Sequence, residues 1–321
     1  MSINKTLFTI SANEKNELIH GIIESPAKNC AEGAAIVFLH GWGGYRTGPH
    51  DMFVKMSRSL AVIGFTCVRF DFRGRGYSGT YGSTLTQQTM VQDLEAVLRY
   101  INDCLGIEKI SLIGICSGAR LALYYAMKGK MPIQHVAGLS LPPLKSEEVR
   151  RRTAFNKSIT NLNLYLEKLK ERSVWNRIFR GEINYRQIFR IIFSSVPDLL
   201  HGGTPKRNLS GIPLQKKSAE RFKHFRGDML FIYGGRDPEA EPSLLQIKHL
   251  TTRFSVRHTI YKIEKANHSF YAREWENEII KVTVQWLSGK RKVSDGANNE
   301  NLNPPIRSPE DTKRTRSPCI S

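Results

Sequence analysis

The sequence predicts an α/β chain: a mostly parallel sheet covered by helices on both faces, with a helical insertion. Three observations lead there. Short apolar runs such as Ala34–Leu39 alternate with longer segments of helical spacing. Most of these runs end directly in a loop containing Gly, Asp, Asn or His. A basic stretch without strand-like runs, residues 144–226, separates two such blocks. Strands that alternate with helices are joined by right-handed crossovers, so their carboxyl ends share one edge of the sheet, where ligands bind.

Each element follows from local pattern. Residues 7–23 alternate around Leu7-Phe8-Thr9-Ile10 and Leu18–Ile23 and predict an N-terminal hairpin. Ala34–Leu39 is apolar throughout, as a strand buried on both faces requires, and His40-Gly41-Trp42-Gly43-Gly44 follows at once. Met52 to Ile63 has helical spacing and is closed by Gly64. The next strand, Phe65–Phe70, ends in Asp71-Phe-Arg73-Gly74-Arg-Gly76-Tyr-Ser78-Gly79. Residues 87–104 carry a helical stripe through Met90, Val91, Leu94, Val97, Leu98 and Ile101. Lys109–Ile115 is a strand that runs through Gly114-x-Cys116-x-Gly118 into a helical run, Ala119–Ala126. Val136–Ser140 is a strand stopped by Pro142-Pro143. Inside the insertion the spacing predicts helices over Asn161–Leu169 and Tyr185–Val196. The α/β rhythm then resumes with strand Met229–Tyr233, loop Gly234–Asp237, strand Arg257–Ile263, loop Asn267-His268-Ser269 and helix Trp275–Leu287. The organisation is therefore a core in two parts, 1–143 and 227–288, a basic helical cap at 144–226, and a polar tail at 289–321 expected to be disordered.

Composition narrows the setting. At 321 residues the chain suits one large domain with an insertion. No N-terminal segment resembles a signal peptide, and no apolar stretch approaches the ~18 residues of a membrane span. The 5 cysteines are odd in number and widely spaced, unlike a disulfide framework or a metal-ligand cluster. The expectation is a reduced, cytoplasmic protein without a metal or other cofactor.

Strand, tight turn with paired glycines, then helix is the setting of a nucleophile elbow. Its central residue is forced into a strained backbone conformation, and small neighbours let the chain pass closely. Serine is usual there; this chain has Cys116. A thiol at a helix N-terminus meets free N–H groups and the positive end of the helix dipole, which favour its anion. Such a nucleophile needs a base, an orienting carboxylate and N–H donors for the oxyanion. His268 follows the last strand, Asp237 the strand before it, and the order nucleophile, acid, histidine has the sense of a triad. His40-Gly41-Trp42-Gly43 fits an oxyanion loop that would offer the Trp42 N–H beside that of Ser117. The segment Asp71–Gly79 lacks dinucleotide-loop spacing and reads as a structural turn bordering the site.

These motifs together resemble the α/β-hydrolases of the serine-aminopeptidase and lysophospholipase-like branch, over about residues 20–288. With Cys at the elbow and Ser173–Ile183 inside a basic insertion, the chain is similar more narrowly to the exosortase A system-associated hydrolases. The resemblance implies an α/β-hydrolase fold, a helical cap, and a Cys116–His268–Asp237 triad with an oxyanion hole at Trp42 and Ser117. Many such proteins follow the elbow Cys with Asp, where this chain has Ser117, a second hydroxyl nucleophile one position on. The glycine offsets register on Cys116, and moving the centre to Ser117 breaks both.

Thiolates attack thioesters and activated acyl groups well, and the resulting enzyme thioester stays reactive toward other acceptors. The expected activity is hydrolysis of an ester or thioester through an acyl-cysteine. Alternatives are an acyltransferase using the same intermediate, as in cysteine-elbow acyltransferases, and a non-catalytic binding module that kept the fold. Dienelactone-type hydrolases imply, by the same resemblance, that a cysteine elbow is compatible with hydrolysis.

The formal net charge of +19 is concentrated in the cap, where 19 Lys/Arg face 7 Asp/Glu. Apolar residues such as Leu162, Trp175, Phe179 and Phe193 are interleaved with those charges. A lid with an apolar underside and a basic outer face would attract an acidic acyl carrier or an anionic membrane surface; the plainer reading is a solvated face. Nucleic acid is not expected as a partner, because no binding motif accompanies the charge.

Overall fold

The computed structural model describes residues 3–14, 16–27, 33–79, 85–128, 131–144 and 225–289. Its strands are β1 (Ile3–Ser11), β2 (Leu18–Pro26), β3 (Ala34–Leu39), β4 (Thr66–Phe70), β5 (Lys109–Ile115), β6 (Ile133–Leu139), β7 (Asp228–Gly234) and β8 (His258–Ile263). Its described α-helices are α1 (Met52–Val62), α2 (Gln87–Asp103), α3 (Ser117–Lys128), α4 (Ala240–Arg253) and α5 (Arg273–Leu287).

The strands form one sheet in the order β1-β2-β4-β3-β5-β6-β7-β8. The hairpin β1–β2 is antiparallel, with Thr9 opposite His20, and β2 runs antiparallel to β4. From β4 to β8 every neighbouring pair is parallel. Among the described residues β3, β4, β5, β7 and β8 each lead into a helix that covers one face, and the strand interiors divide accordingly. Ala35, Val37 and Leu39 of β3 join the core built with α2, α3 and α4. Ile36 and Phe38 point the other way, into the core shared with Met56 and Leu60 of α1 and Ile279 and Val282 of α5. Burial on both faces explains why the interior strands β3, β5 and β7 read as largely unbroken apolar runs instead of alternating ones.

Helix α2 starts where its sequence says it should. The Thr86 side chain accepts the Thr89 N–H at 3.1 Å while Thr89 Oγ1 accepts the Thr86 N–H at 2.8 Å, a reciprocal cap for two otherwise orphaned donors. The hairpin is longer than the expected 7–23 because its outer end is an edge: Asn4, Lys5 and Thr6 are exposed and give no apolar signal. Helix α4 was not expected at all. Its buried stripe is Ala240, Ser243, Ile247 and Thr251, a line of small and hydroxylated residues without the usual apolar contrast. The expected cap helices Asn161–Leu169 and Tyr185–Val196, and the tail beyond Gly289, lie outside the described residues. Among the described residues no helix is long and apolar enough to cross a membrane.

Candidate active site

The turn between β5 and α3 is strained in the way its glycines require. Cys116 has φ +54°, a left-handed value uncommon for a residue with a side chain. Its N–H donates to the Leu139 carbonyl of β6 at 2.9 Å, and its carbonyl accepts the Arg120 N–H at 3.2 Å. The neighbours must lack side chains. A Cβ on Gly118 would lie 2.0 Å from the Leu39 carbonyl oxygen, and one on Gly114 would lie 2.4 Å from the Gly118 backbone. The helix thus starts in direct backbone contact with the end of β3, which presents Cys116 at the carboxyl edge of the sheet.

Two further loops reach this edge. After β7 the chain turns through Gly234-Gly235 so tightly that a Cβ on Gly235 would lie 2.3 Å from the Glu264 carbonyl oxygen of the loop after β8. The Arg236 N–H donates to Ala266 O at 2.8 Å and fastens the two loops together. The result is an ion pair: His268 Nδ1 lies 2.7 Å from Asp237 Oδ2. The other carboxylate oxygen, Oδ1, accepts the Glu239 N–H at 2.9 Å, so Asp237 is held at both ends. Burial alone would lower the His268 pKa. The hydrogen bond and charge of Asp237, together with the side chain of Cys116 as its other partner, override burial and push it up to about 10. The structure therefore brings Cys116, His268 and Asp237 together from three separate loops.

The loop after β3 lies against the elbow, since a Cβ on Gly41 would be 3.5 Å from the Cys116 Cβ. His40 sets its path. The His40 ring lies 2.8 Å from the Gly41 carbonyl through Nδ1 and accepts the Phe72 N–H at 3.2 Å through Nε2, which assigns the neutral tautomer protonated on Nδ1. Burial lowers the His40 pKa and keeps it in that form. The Trp42 side chain is partly exposed and its carbonyl accepts Arg75 Nε at 2.8 Å. Among the described residues, the N–H groups of Trp42 and Ser117 have no acceptor within the chain. Gly41, Gly43 and Gly44 are not among the left-handed residues, and the buried His40 ring braces the loop through its contacts to Gly41 and Phe72.

The Asp71–Gly79 segment is a buttress. Asp71 accepts the Arg46 N–H at 2.7 Å and pairs with the Arg46 guanidinium. Gly76, at φ +53°, passes so close to that carboxylate that a side chain has no room. The buried Arg73 reaches Asp93 of α2 at 2.5 Å and Glu17 at 2.6 Å. Two polar residues at the site had no role in the sequence reading. Arg120 sits one turn into α3, and Ser140, at φ +43°, follows β6. Arg120 stands four positions after Cys116, one turn into the helix that follows the elbow, and that spacing was the available signal. Among the described residues no group of three His, Cys, Asp or Glu is placed to hold a metal ion.

Residues 34–170 match the α/β hydrolase fold family. No curated protein sequence matches the chain. Solved structures do. An esterase from Pyrococcus furiosus is 16% identical with a TM-score of 0.58, over 89% of this chain and 91% of that one. An α/β serine hydrolase homologue from Coxiella burnetii is 17% identical with a TM-score of 0.53, over 88% and 97%. A dienelactone hydrolase from Anabaena variabilis is 13% identical with a TM-score of 0.52, over 89% and 98%. At these identities the likeness is one of fold. The parallel block β4-β3-β5-β6-β7-β8, with its elbow after β5 and its acid and histidine after β7 and β8, is the α/β-hydrolase fold.

Proposed function

We propose that the chain is a hydrolase that cleaves an ester or thioester through an acyl-Cys116 intermediate. The observation that carries this reading is the placement of a cysteine at φ +54° on the elbow, beside a histidine that is itself held by a carboxylate at 2.7 Å. In the first step the Cys116 sulfur bonds to the substrate carbonyl carbon and the thiol proton resides on His268 Nε2. The N–H groups of Trp42 and Ser117 receive the developing oxyanion. The tetrahedral centre then collapses: the bond to the leaving alcohol or thiol breaks, and His268 returns the proton to it. Water adds to the acyl-cysteine by the same route, its proton passing to His268, and the carboxylic acid leaves as the C–S bond breaks. Asp237 keeps Nδ1–H directed to itself and Nε2 toward the thiol throughout.

Support comes from the order and convergence of the three residues, and from similar structures named as an esterase, a serine hydrolase homologue and a dienelactone hydrolase. Within the fold, the cysteine elbow and the Ser173–Ile183 stretch favour the exosortase-associated group. A second reading, acyl transfer, is favoured by the cysteine itself, because an enzyme thioester stays reactive toward amines and alcohols.

The test is intact-mass analysis after mixing with p-nitrophenyl and thioester substrates. An acyl adduct should appear, map to Cys116 and be absent from Cys116→Ala. Turnover that survives in Cys116→Ala, or an adduct on Ser117, overturns the assignment. Product analysis with an added amine acceptor separates hydrolysis from transfer.

A further inference from the structure

A buried polar atom without a protein partner is uncommon in a folded protein, and each one marks strain or a place where a water, an ion or a ligand group can bind. Among the described residues five side-chain atoms are in that state, and three belong to residues around the elbow: Ser117 Oγ, Arg120 Nε and Ser140 Oγ. Ser117 adjoins Cys116 in the chain. Ser140 is fully buried and follows Leu139, the residue whose carbonyl takes the Cys116 N–H. Arg120 lies one helical turn beyond Cys116. Side chains on a helix lean toward its N-terminus, so the guanidinium leans back toward the elbow. Its Nη2 donates to the Pro143 carbonyl at 2.9 Å, which holds it against the segment that leaves β6. Among the described residues that is the one hydrogen bond of the guanidinium. The remaining buried Nε–H is a donor only, so it calls for an acceptor. Burial pulls the Arg120 pKa down, and the charges that oppose this are those of Cys116 and Glu239.

We propose that Arg120 receives a carboxylate on the acyl part of the substrate, so that the enzyme acts on esters or thioesters whose acyl chain carries a second, free carboxyl group. This rests on Cys116 being the nucleophile. The planar guanidinium fork matches a carboxylate in shape and adds charge to the hydrogen bond. The guanidinium carries a single positive charge that Glu239 already offsets in part, so a singly charged carboxylate is tolerated better there than a dianionic phosphate. The Ser117 and Ser140 hydroxyls supply further unpaired donors in the same neighbourhood. The consequence is a selectivity for charge on the acyl side, set by a residue outside the Cys–His–Asp group.

Two alkylating reagents of nearly equal size test this without knowledge of the natural substrate. Iodoacetate and iodoacetamide react by the same displacement, in which the S–C bond forms and iodide leaves, and they differ in a carboxylate against an amide. The ratio of their rates at Cys116, read by peptide mass spectrometry, is compared with the ratio at the exposed Cys104 of the same chain. The ratio at Cys116 should exceed that at Cys104 on the order of tenfold. It should fall to the Cys104 value in Arg120→Met and be kept in part by Arg120→Lys. Equal ratios at the two cysteines of the wild-type protein overturn the carboxylate assignment, whatever the variants do. So does an Arg120→Met protein in which both reagents slow equally, which would make Arg120 an electrostatic partner of the thiol alone. A Cys116 that neither reagent labels overturns the acyl-cysteine reading and this inference with it.

Discussion

Replacing Asp237 with Asn probes the proposed chemistry most directly, because the two carboxylate oxygens have different partners. Oδ1 accepts the Glu239 N–H at 2.9 Å, and Oδ2 meets the His268 ring at 2.7 Å. Asparagine keeps one acceptor oxygen, and the backbone N–H of Glu239 is a fixed donor that will hold it. The amide NH2 is then presented to His268 Nδ1. Two donors cannot share that contact, so the ring shifts its proton to Nε2, the nitrogen that must accept the thiol proton. The carboxylate charge that helps push the His268 pKa up to about 10 is removed as well, and burial then acts with less opposition. The ring pKa therefore falls from about 10, and the imidazolium form at neutral pH becomes less populated. The acylation rate should drop by about 10²–10⁴, or ~3–5 kcal/mol of barrier. The fold loses one charge-assisted hydrogen bond, and because the His268 side chain is 34% exposed, solvent screening keeps that loss near ~1 kcal/mol. Single-turnover acylation of Cys116, followed by mass, measures the first effect, and NMR titration of the His268 ring measures the second. An Asp237→Asn protein that acylates within tenfold of wild type, or whose ring titrates as before, refutes the reasoning.

Gly118→Ala places a Cβ 2.0 Å from Leu39 O and 2.6 Å from His40 O, both backbone atoms. It should cost roughly 1–3 kcal/mol in urea unfolding. Gly41→Ala, whose Cβ would meet nothing closer than 3.5 Å, should cost less in the same assay, and equal losses would refute the steric account of the elbow. The raised pKa of His268 also has a stability consequence. Because the folded value of about 10 exceeds the ordinary 6.5, its contribution is complete below pH ~6.5 and is lost as pH rises toward ~10. The stability advantage of wild type over His268→Gln should therefore shrink across that window; an advantage that stays constant or grows there speaks against the charged ring.

The parallel core was legible because its strands are apolar on both faces and end in loops of special chemistry. Cys116, Asp237 and His268 could be picked out by their positions after β5, β7 and β8 without knowing how far apart the folded chain would leave them. What stayed hidden falls into two physical kinds. Helix α4 buries Ser243 and Thr251 along with Ile247, so its face has too little hydrophobic contrast for a periodicity argument. Arg120, Ser140 and the neutral His40 owe their surroundings to contacts across loops, such as Arg120 to Pro143 and His40 to Phe72. No local pattern encodes those pairings. The length of the hairpin was hidden for a third reason, since the outer residues of an edge strand face water and look like loop.

The steric demands of the elbow fall on Gly114 and Gly118 and spare the residue between them. The Cys116 side chain is half-buried, and even a Cβ added at Gly41 would stay at ordinary distance from it. Position 116 behaves like a socket, whose shape is set by the frame and whose occupant is exchangeable. Sulfur for oxygen is one atom in the side chain and one base in a codon. On the proposed chemistry, a lineage built on this frame could trade a hard nucleophile for a soft one with little change in the glycines that frame it.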